Sequence, residues 1–550
     1  MLNRDIQLEE NSMQENSFTQ GSILKGMLRF SVPYLITCFL QTFYGMADLF
    51  IVGQYNGAAS ISAVSVGSQL MHMLTVVAAG FAMGSTVLIG RNIGAGNRQG
   101  VSRAIGTTFA VFGVFAVILT TMLLFFVHPI IGILAVPAEA VPEASAYMRI
   151  CFTGVIFITA YNVLSAIFRG IGDTKRPMYY VFAAGVINVG LDWLLVGPFH
   201  MGATGAACAT VASQAVSVLL ALAALFLVHG DLFAGAADMD ERTKNSGARG
   251  SSLQPSDFST KAAGMGERTK NSGARGSSLR PSDLSSEAAG MGERAKNSGA
   301  RSSSLRPSDL SAEAVGMDER VKNSGARGSS LRPSMDDALK ILQVGVPVAL
   351  QEGLIQVSFL VITMIANSRG VDVAAAVGIV EKVISFLFLV PSAMLSTVSA
   401  LSAQNAGAGA NERSRKILRL GCLLCAGFGG AVFILCQPLA PHIVSLFVGS
   451  GDGQNVILLG GQYLRTYSMD CMFAGIHFCF SGFFSAYGKS GYSFLHNIIS
   501  ILTLRIPGAW LASILFPTTL YAMGIAAPMG SLLSILICLA LYRIGWKNWA

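Results

Sequence analysis

The side chains able to do chemistry in this sequence are few, and they stand where charge is costly. Asp48, Asp192, Glu352, Glu381 with Lys382, Asp470 and Arg505 fall inside long apolar runs, with Arg149 and Arg465 near the ends of two others. An ionisable group in such a run is a functional candidate by default. Asn188 precedes Asp192 by one helical turn in Val186-Ile187-Asn188-Val189-Gly190-Leu191-Asp192, so both side chains share a face. An amide and a carboxylate on one face can coordinate Na⁺ or take up a proton. Asp48 follows Gln41 and Tyr44 at spacings that let all three line one stripe. Two carboxylates converging from different helices would make a cation-coupling site. The competing reading is that each ties helices together through a backbone or hydroxyl partner. Glu352, Asp470, Glu381 and Arg505 make a second, weaker set of charged candidates. Glu381 and Lys382 can partly neutralise each other, and Arg149 and Arg465 suit locking loops better than binding a substrate.

The elements that must hold these groups are membrane spans. The chain of 550 residues is 52% hydrophobic and 12% charged, with a mean hydropathy of +0.56. A soluble domain carries about 25% charged residues, so the usual charged surface is missing. Runs long enough to cross the bilayer core lie near Leu28–Val52, Ile61–Ile89, Val101–Val127, Glu143–Phe168, Pro177–Phe199, Ala203–Val228, Ala338–Asn367, Val373–Ser402, Ile417–Val448, Val456–Tyr487, Tyr492–Phe516 and Ala522–Ile544. In the ninth, Pro438 and Pro441 leave open a shorter span followed by an interfacial piece. One set of connections carries Arg91, Arg98, Arg103, Arg169, Lys175, Arg176, Arg413, Arg415, Lys416, Arg419 and Lys489, with Lys25, Arg29, Arg543 and Lys547 on the same side. The opposite loops hold almost nothing basic except Arg369. By the positive-inside rule both termini are cytoplasmic and the cell membrane is the expected location.

The net charge of +8 does not point to nucleic acid. Between Met239 and Ser334 there are 16 Lys and Arg and 11 Asp and Glu, so +5 of the +8 belongs to one hydrophilic insert. All nine cysteines lie in apolar segments, and the Cys422/Cys425 pair has no neighbouring His or acid, so buried thiols are expected. The polar residues 1–22 read as a tail, and the first span is expected to direct insertion.

The second half echoes the first. Ser85-Thr86-Val87 with Asn92-Ile93-Gly94-Ala95-Gly96 recurs as Ser396-Thr397-Val398 with Asn405-Ala406-Gly407-Ala408-Gly409. Tyr147-Met148-Arg149 with Ser165, Phe168 and Gly172 recurs as Tyr463-Leu464-Arg465 with Ser481, Phe484 and Gly488, and Val32-Pro33 as Val346-Pro347. The expected fold is an all-α integral membrane protein of twelve transmembrane helices in two parallel-repeat six-helix bundles, at 23–230 and 338–550. Such repeats enclose a substrate cavity between them. The linker 231–337 contains four copies of a 26-residue unit beginning at Met239, Met265, Met291 and Met317, the last truncated. Each copy has too little apolar surface to offset ordering entropy, so a disordered cytoplasmic linker is expected.

Gly170-Ile171-Gly172-Asp173-Thr174-Lys175 lacks the frame of a phosphate loop and follows no strand. No H-E-x-x-H or G-x-S-x-G occurs either. The chain is therefore read as no enzyme and as needing no cofactor, its transport driven by an ion gradient.

The sequence resembles the multidrug and toxic compound extrusion (MATE) family over nearly all of both halves. The resemblance rests on Pro33…Gln41-x-x-Tyr44-x-x-x-Asp48-x-x-x-x-Gly53, Asn92-x-Gly94-Ala95-Gly96 and Arg169-Gly170-x-Gly172-Asp173-Thr174-x-x-Pro177. It includes Asn188-x-x-x-Asp192 and Gly202-x-x-Gly205-Ala206-Ala207. It implies alternating access and export of amphiphilic organic cations in exchange for inward H⁺ or Na⁺. It also implies a cation site of Asp48, Asn188, Asp192 and Thr210, with Tyr44 nearby, a set able to hold Na⁺. Other members use acids in the seventh and tenth spans, where Glu352 and Asp470 lie here. The expected partners are small amphiphilic molecules and the lipid bilayer, with no nucleic acid and a monomeric state. The alternative is a flippase for a lipid-linked saccharide or other lipid precursor, which would want several basic residues in its cavity.

Overall fold

The computed structural model describes residues 18–134, 136, 138–228, 332–448 and 453–549, and among the described residues every regular element is helical. The repeat units between Met239 and Ser334 lie almost wholly outside the described residues. The first bundle comprises α1 (Ile23–Tyr55), α2 (Ala58–Gly94), α3 (Arg98–Phe125), the short α4 (Val127–Ile133), a 3₁₀ turn at Ala138–Ala140, α5 (Val141–Ile171), α6 (Lys175–Val196) and α7 (Gly202–Val228). The second comprises α8 (Met335–Asn367), α9 (Val371–Leu387), α10 (Leu389–Gly407), α11 (Asn411–Ser445), α12 (Gln454–Tyr467), α13 (Asp470–Ala486), α14 (Ser490–Ser500), a π-turn at Ile501–Arg505, α15 (Ile506–Leu515) and α16 (Tyr521–Trp549). These supply the twelve spans read from hydropathy.

Three spans of the second bundle are broken where the sequence suggested single helices. The eighth divides at Phe388, three residues before Pro391, and the tenth at Ser468-Met469. The eleventh contains the π-turn. The ninth settles the alternative left open at its prolines, because α11 runs as one helix through Pro438 and Pro441. Pro441 cannot donate to the carbonyl of Gln437. Arg465 Nε fills that place at 2.8 Å, and Gln437 Nε2 in return donates to the Arg465 carbonyl. Pro347 in α8 likewise frees the carbonyl of Gln343, which accepts from Ser490 Oγ at 2.8 Å. In the first bundle the corresponding hydroxyl, Thr174 Oγ1, donates to the carbonyl of Phe30, next to the Arg29 carbonyl that Pro33 frees. In a bilayer such carbonyls must be satisfied within the protein, and in both halves a hydroxyl from the same connection bonds the proline-containing helix.

The halves meet along α2, α8 and α10. Cβ atoms added at Gly84 and Gly94 would collide with the carbonyls of Ile341 and Gln404, and at Gly345 and Gly407 with those of Phe81 and Arg91. The two N-x-G-A-G motifs therefore cross backbone to backbone at the ends of α2 and α10, which is why glycine recurs there. Arg103 Nε pairs with Asp337 at 2.7 Å beside this crossing, and Gln404 Nε2 donates to the Gly170 carbonyl. Residues Phe18–Gln20, expected as part of a free tail, are docked here. Phe18 donates from its backbone to Gln404, and its carbonyl accepts from Asn405 and Arg413. At this end the cores interleave, with Met27, Phe30, Met83 and Val87 among second-bundle residues. At the opposite end each core is built from one half alone. The bundles are thus joined at one face of the membrane and separately packed at the other.

Candidate functional site

α1, α6 and α7 bring the four predicted first-bundle residues together. Asp48, Asn188 and Asp192 are buried, and Thr210 Oγ1 donates to Asp48 Oδ2 at 3.1 Å. The Asp48 and Asp192 carboxyls face each other at a range where one shared proton would join them, with Asn188 also within reach of Asp48. Without that proton, Asp48 Oδ1 and both Asp192 oxygens have no donor among the described residues, and Asn188, though close to Asp48, completes no hydrogen bond of good geometry. A buried polar atom with no partner is costly. Two facing carboxylates also repel unless a proton or cation lies between them. Oxygens from two carboxylates, an amide and a hydroxyl are the donor set a hard monovalent cation prefers. The alternative reading, acids satisfied by backbone or hydroxyl partners, accounts for one Asp48 oxygen only.

Tyr44 lies within electrostatic reach of Asp48 without hydrogen-bonding to it. Its hydroxyl accepts from Gln214 Nε2 at 2.8 Å. Gln214 is a residue the sequence reading missed, although it follows Thr210 by one helical turn and so shares its face. Tyr147, read in the sequence only as part of the repeat, is buried within electrostatic reach of both carboxyls. The sequence reading places Arg169 in a loop. It is instead buried in the last turn of α5, donating to Ser165 Oγ at 3.0 Å with its guanidinium 5.0 Å from the Tyr34 ring centre. Arg149 lies 3.0 Å from His128 Nε2 and Arg465 braces α11, so both lock neighbouring segments as expected.

The second set of charged candidates divides. Glu352 sits in the seam between the halves, its Cγ beside Gly80 of α2. Glu381 does not pair with Lys382. It accepts from Thr363 Oγ1 at 2.9 Å and lies within electrostatic reach of Arg505. Lys382 is exposed and within reach of His72 of the other bundle. Asp470 opens α13 just after the break in the tenth span, fully buried and facing Arg505 and Ser531. Arg505 ends the π-turn, buried, with Nη2 donating to Tyr467 at 2.8 Å and its guanidinium 4.8 Å from the Phe359 ring centre.

The first-bundle site has no copy in the second. Aligning Val32-Pro33 with Val346-Pro347 puts Ile362 where Asp48 stands and Ser358 where Tyr44 stands. A π-turn takes in one residue more than an α-turn. Counting across it from the matched Gly172 and Gly488 puts Arg505 in the place of Asn188 and Ala509 in that of Asp192.

The MatE family model matches residues 33–194 and 347–511, most of both bundles. A probable multidrug resistance protein of Bacillus subtilis, YpnP, is 22% identical over 97% of this chain and 98% of its own length. A probable multidrug resistance protein of Thermotoga maritima, NorM, is 32% identical over 35% of this chain and 42% of its own. A solved outward-facing conformation of a multidrug resistance MATE transporter superposes with a TM-score of 0.73 at 18% identity, covering 97% of this chain and 98% of that one. At that identity the likeness speaks for the fold alone.

Proposed function

This chain belongs to the MatE family of multidrug efflux transporters, and from that premise we propose that it exports amphiphilic organic cations in exchange for inward H⁺ or Na⁺. The observation that carries the reading is the buried Asp48–Asp192 pair, three of whose four oxygens have no hydrogen-bond donor among the described residues. A cation entering between them relieves repulsion and supplies the missing contacts, so occupancy changes how α1 packs on α6 and α7. The bundles meet at one face and are independently cored at the other, an arrangement that suits alternating access between two packings. Cation binding at Asp48 and Asp192 then biases which face opens. Glu352 in the seam and the aromatic rings Phe39 and Phe386, 6.3 Å apart across the halves, offer charge and surface to an organic cation.

In this reading both termini and the linker lie in the cytoplasm at the cell membrane, and the monomer is the working unit. A flippase for an anionic headgroup fits less well. Arg505 is turned into the second bundle toward Tyr467, and Lys382, exposed and within electrostatic reach of His72, is the other cation of the second charged set. The test is dye efflux from proteoliposomes under an imposed proton gradient, then a sodium gradient. Efflux under one of them is expected, and efflux under neither overturns the antiport reading.

A further inference from the structure

The second bundle holds a charge cluster that the coupling reading does not use. Arg505 lies at the centre, approached by Glu381 from α9, Tyr463 and Tyr467 from α12, Asp470 and His477 from α13, Phe359 from α8 and, behind His477, His496 from α14. Neither acid forms a contact ion pair with it. The guanidinium is held by Tyr467 and Phe359 instead, while both Asp470 oxygens and Glu381 Oε1 remain without donors among the described residues. The π-turn places Arg505 at the position Asn188 holds in the first bundle.

We infer that Arg505 is a tethered counter-cation, occupying in the second bundle the role a mobile cation plays between Asp48 and Asp192. A guanidinium fixed to the helix supplies Asp470 with a permanent counter-charge at electrostatic range rather than by direct contact, so charge balance there does not call for H⁺ or Na⁺ from solution. Arg suits this role because it cannot give up its proton. Arg505 is therefore a positioning residue that confines coupling to the first bundle. That consequence rests on the antiport reading, whereas the test below does not.

The full chain carrying Asp48→Asn and Asp192→Asn removes the first-bundle acids. Its thermal unfolding is followed as NaCl replaces choline chloride, and separately as pH falls without sodium. No cation-dependent stabilisation is expected in this background. Adding Arg505→Met should create one, a rise of about 2 °C or more at saturating cation. Further addition of Asp470→Asn should abolish it, and Arg505→Lys should match the background. If Arg505→Met does not fold in choline, recovery of folded protein in NaCl or at acidic pH is the same gain. Absence of any gain or recovery, or a gain that survives loss of Asp470, overturns the inference. Wild-type efflux is measured separately, so a failure of the antiport reading leaves the melting result distinguishable.

Discussion

In the first bundle two buried acids, Asp48 and Asp192, face one another across three unbroken helices, and no cation of the protein stands between them. In the second, Asp470 and Glu381 face Arg505, and the helices that carry all three are interrupted or adjoin a break. Both bundles keep charge out of water. One leaves the balance open and the other closes it with a side chain. Regular helices suffice for the open site, since Asn188 and Asp192 share a face at normal helical spacing. The closed site needs the π-turn to swing Arg505 inward and the break at Ser468-Met469 to start a new helix at Asp470. The difference teaches that a duplicated fold can keep its joints while its two interiors diverge.

The joints give the sharpest way to break that comparison. Gly94→Val puts side-chain atoms on the Gln404 carbonyl, where the repeated motifs cross. It should destabilise the joined face by about 3 kcal/mol, read by thermal unfolding. Unchanged stability would mean that the two halves do not rely on this crossing. Thr210→Val removes one hydrogen bond to Asp48 without touching the second bundle. A loss of about 1 kcal/mol predicts roughly fivefold weaker cation activation of efflux, and an unaltered cation dependence would place the ion elsewhere. Asp337→Asn breaks the pair with Arg103, whose side chain is 48% exposed. Because the carboxylate itself is buried and also faces Lys340, the expected cost is about 1 kcal/mol, read by thermal unfolding, and unchanged stability would make the pair dispensable. Deleting Met239–Ser334 should change neither folding yield nor efflux. Lost efflux with normal yield would give the linker a role in transport.

Much of the fold was legible because a bilayer writes it into composition. Apolar runs, loop arginines and repeated motifs were enough for twelve spans in two halves. The breaks were not legible, since a π-turn has no residue signature and Ser468-Met469 is not a helix-breaking pair. Pro438 and Pro441 leave the ninth span's continuity open in the sequence for a definable reason, as the compensating donor, Arg465, comes from another helix. At the candidate site, Asn188, Asp192 and Thr210 could be named from spacing and resemblance. Gln214 could have been found from its turn relation to Thr210. The inward turn of Arg169 and the central position of Arg505 depend on three-dimensional neighbours such as Tyr34 and Tyr467, which no local pattern announces.

The central claim is that coupling resides in the first bundle, and one paired measurement addresses it directly. Asp192→Asn and Asp470→Asn are reconstituted side by side, and gradient-driven dye efflux is compared with gradient-independent dye binding. Asp192→Asn should lose gradient-driven efflux by at least about tenfold while still binding dye, and Asp470→Asn should remain within about threefold of wild type. Efflux retained by Asp192→Asn and lost by Asp470→Asn would contradict the account.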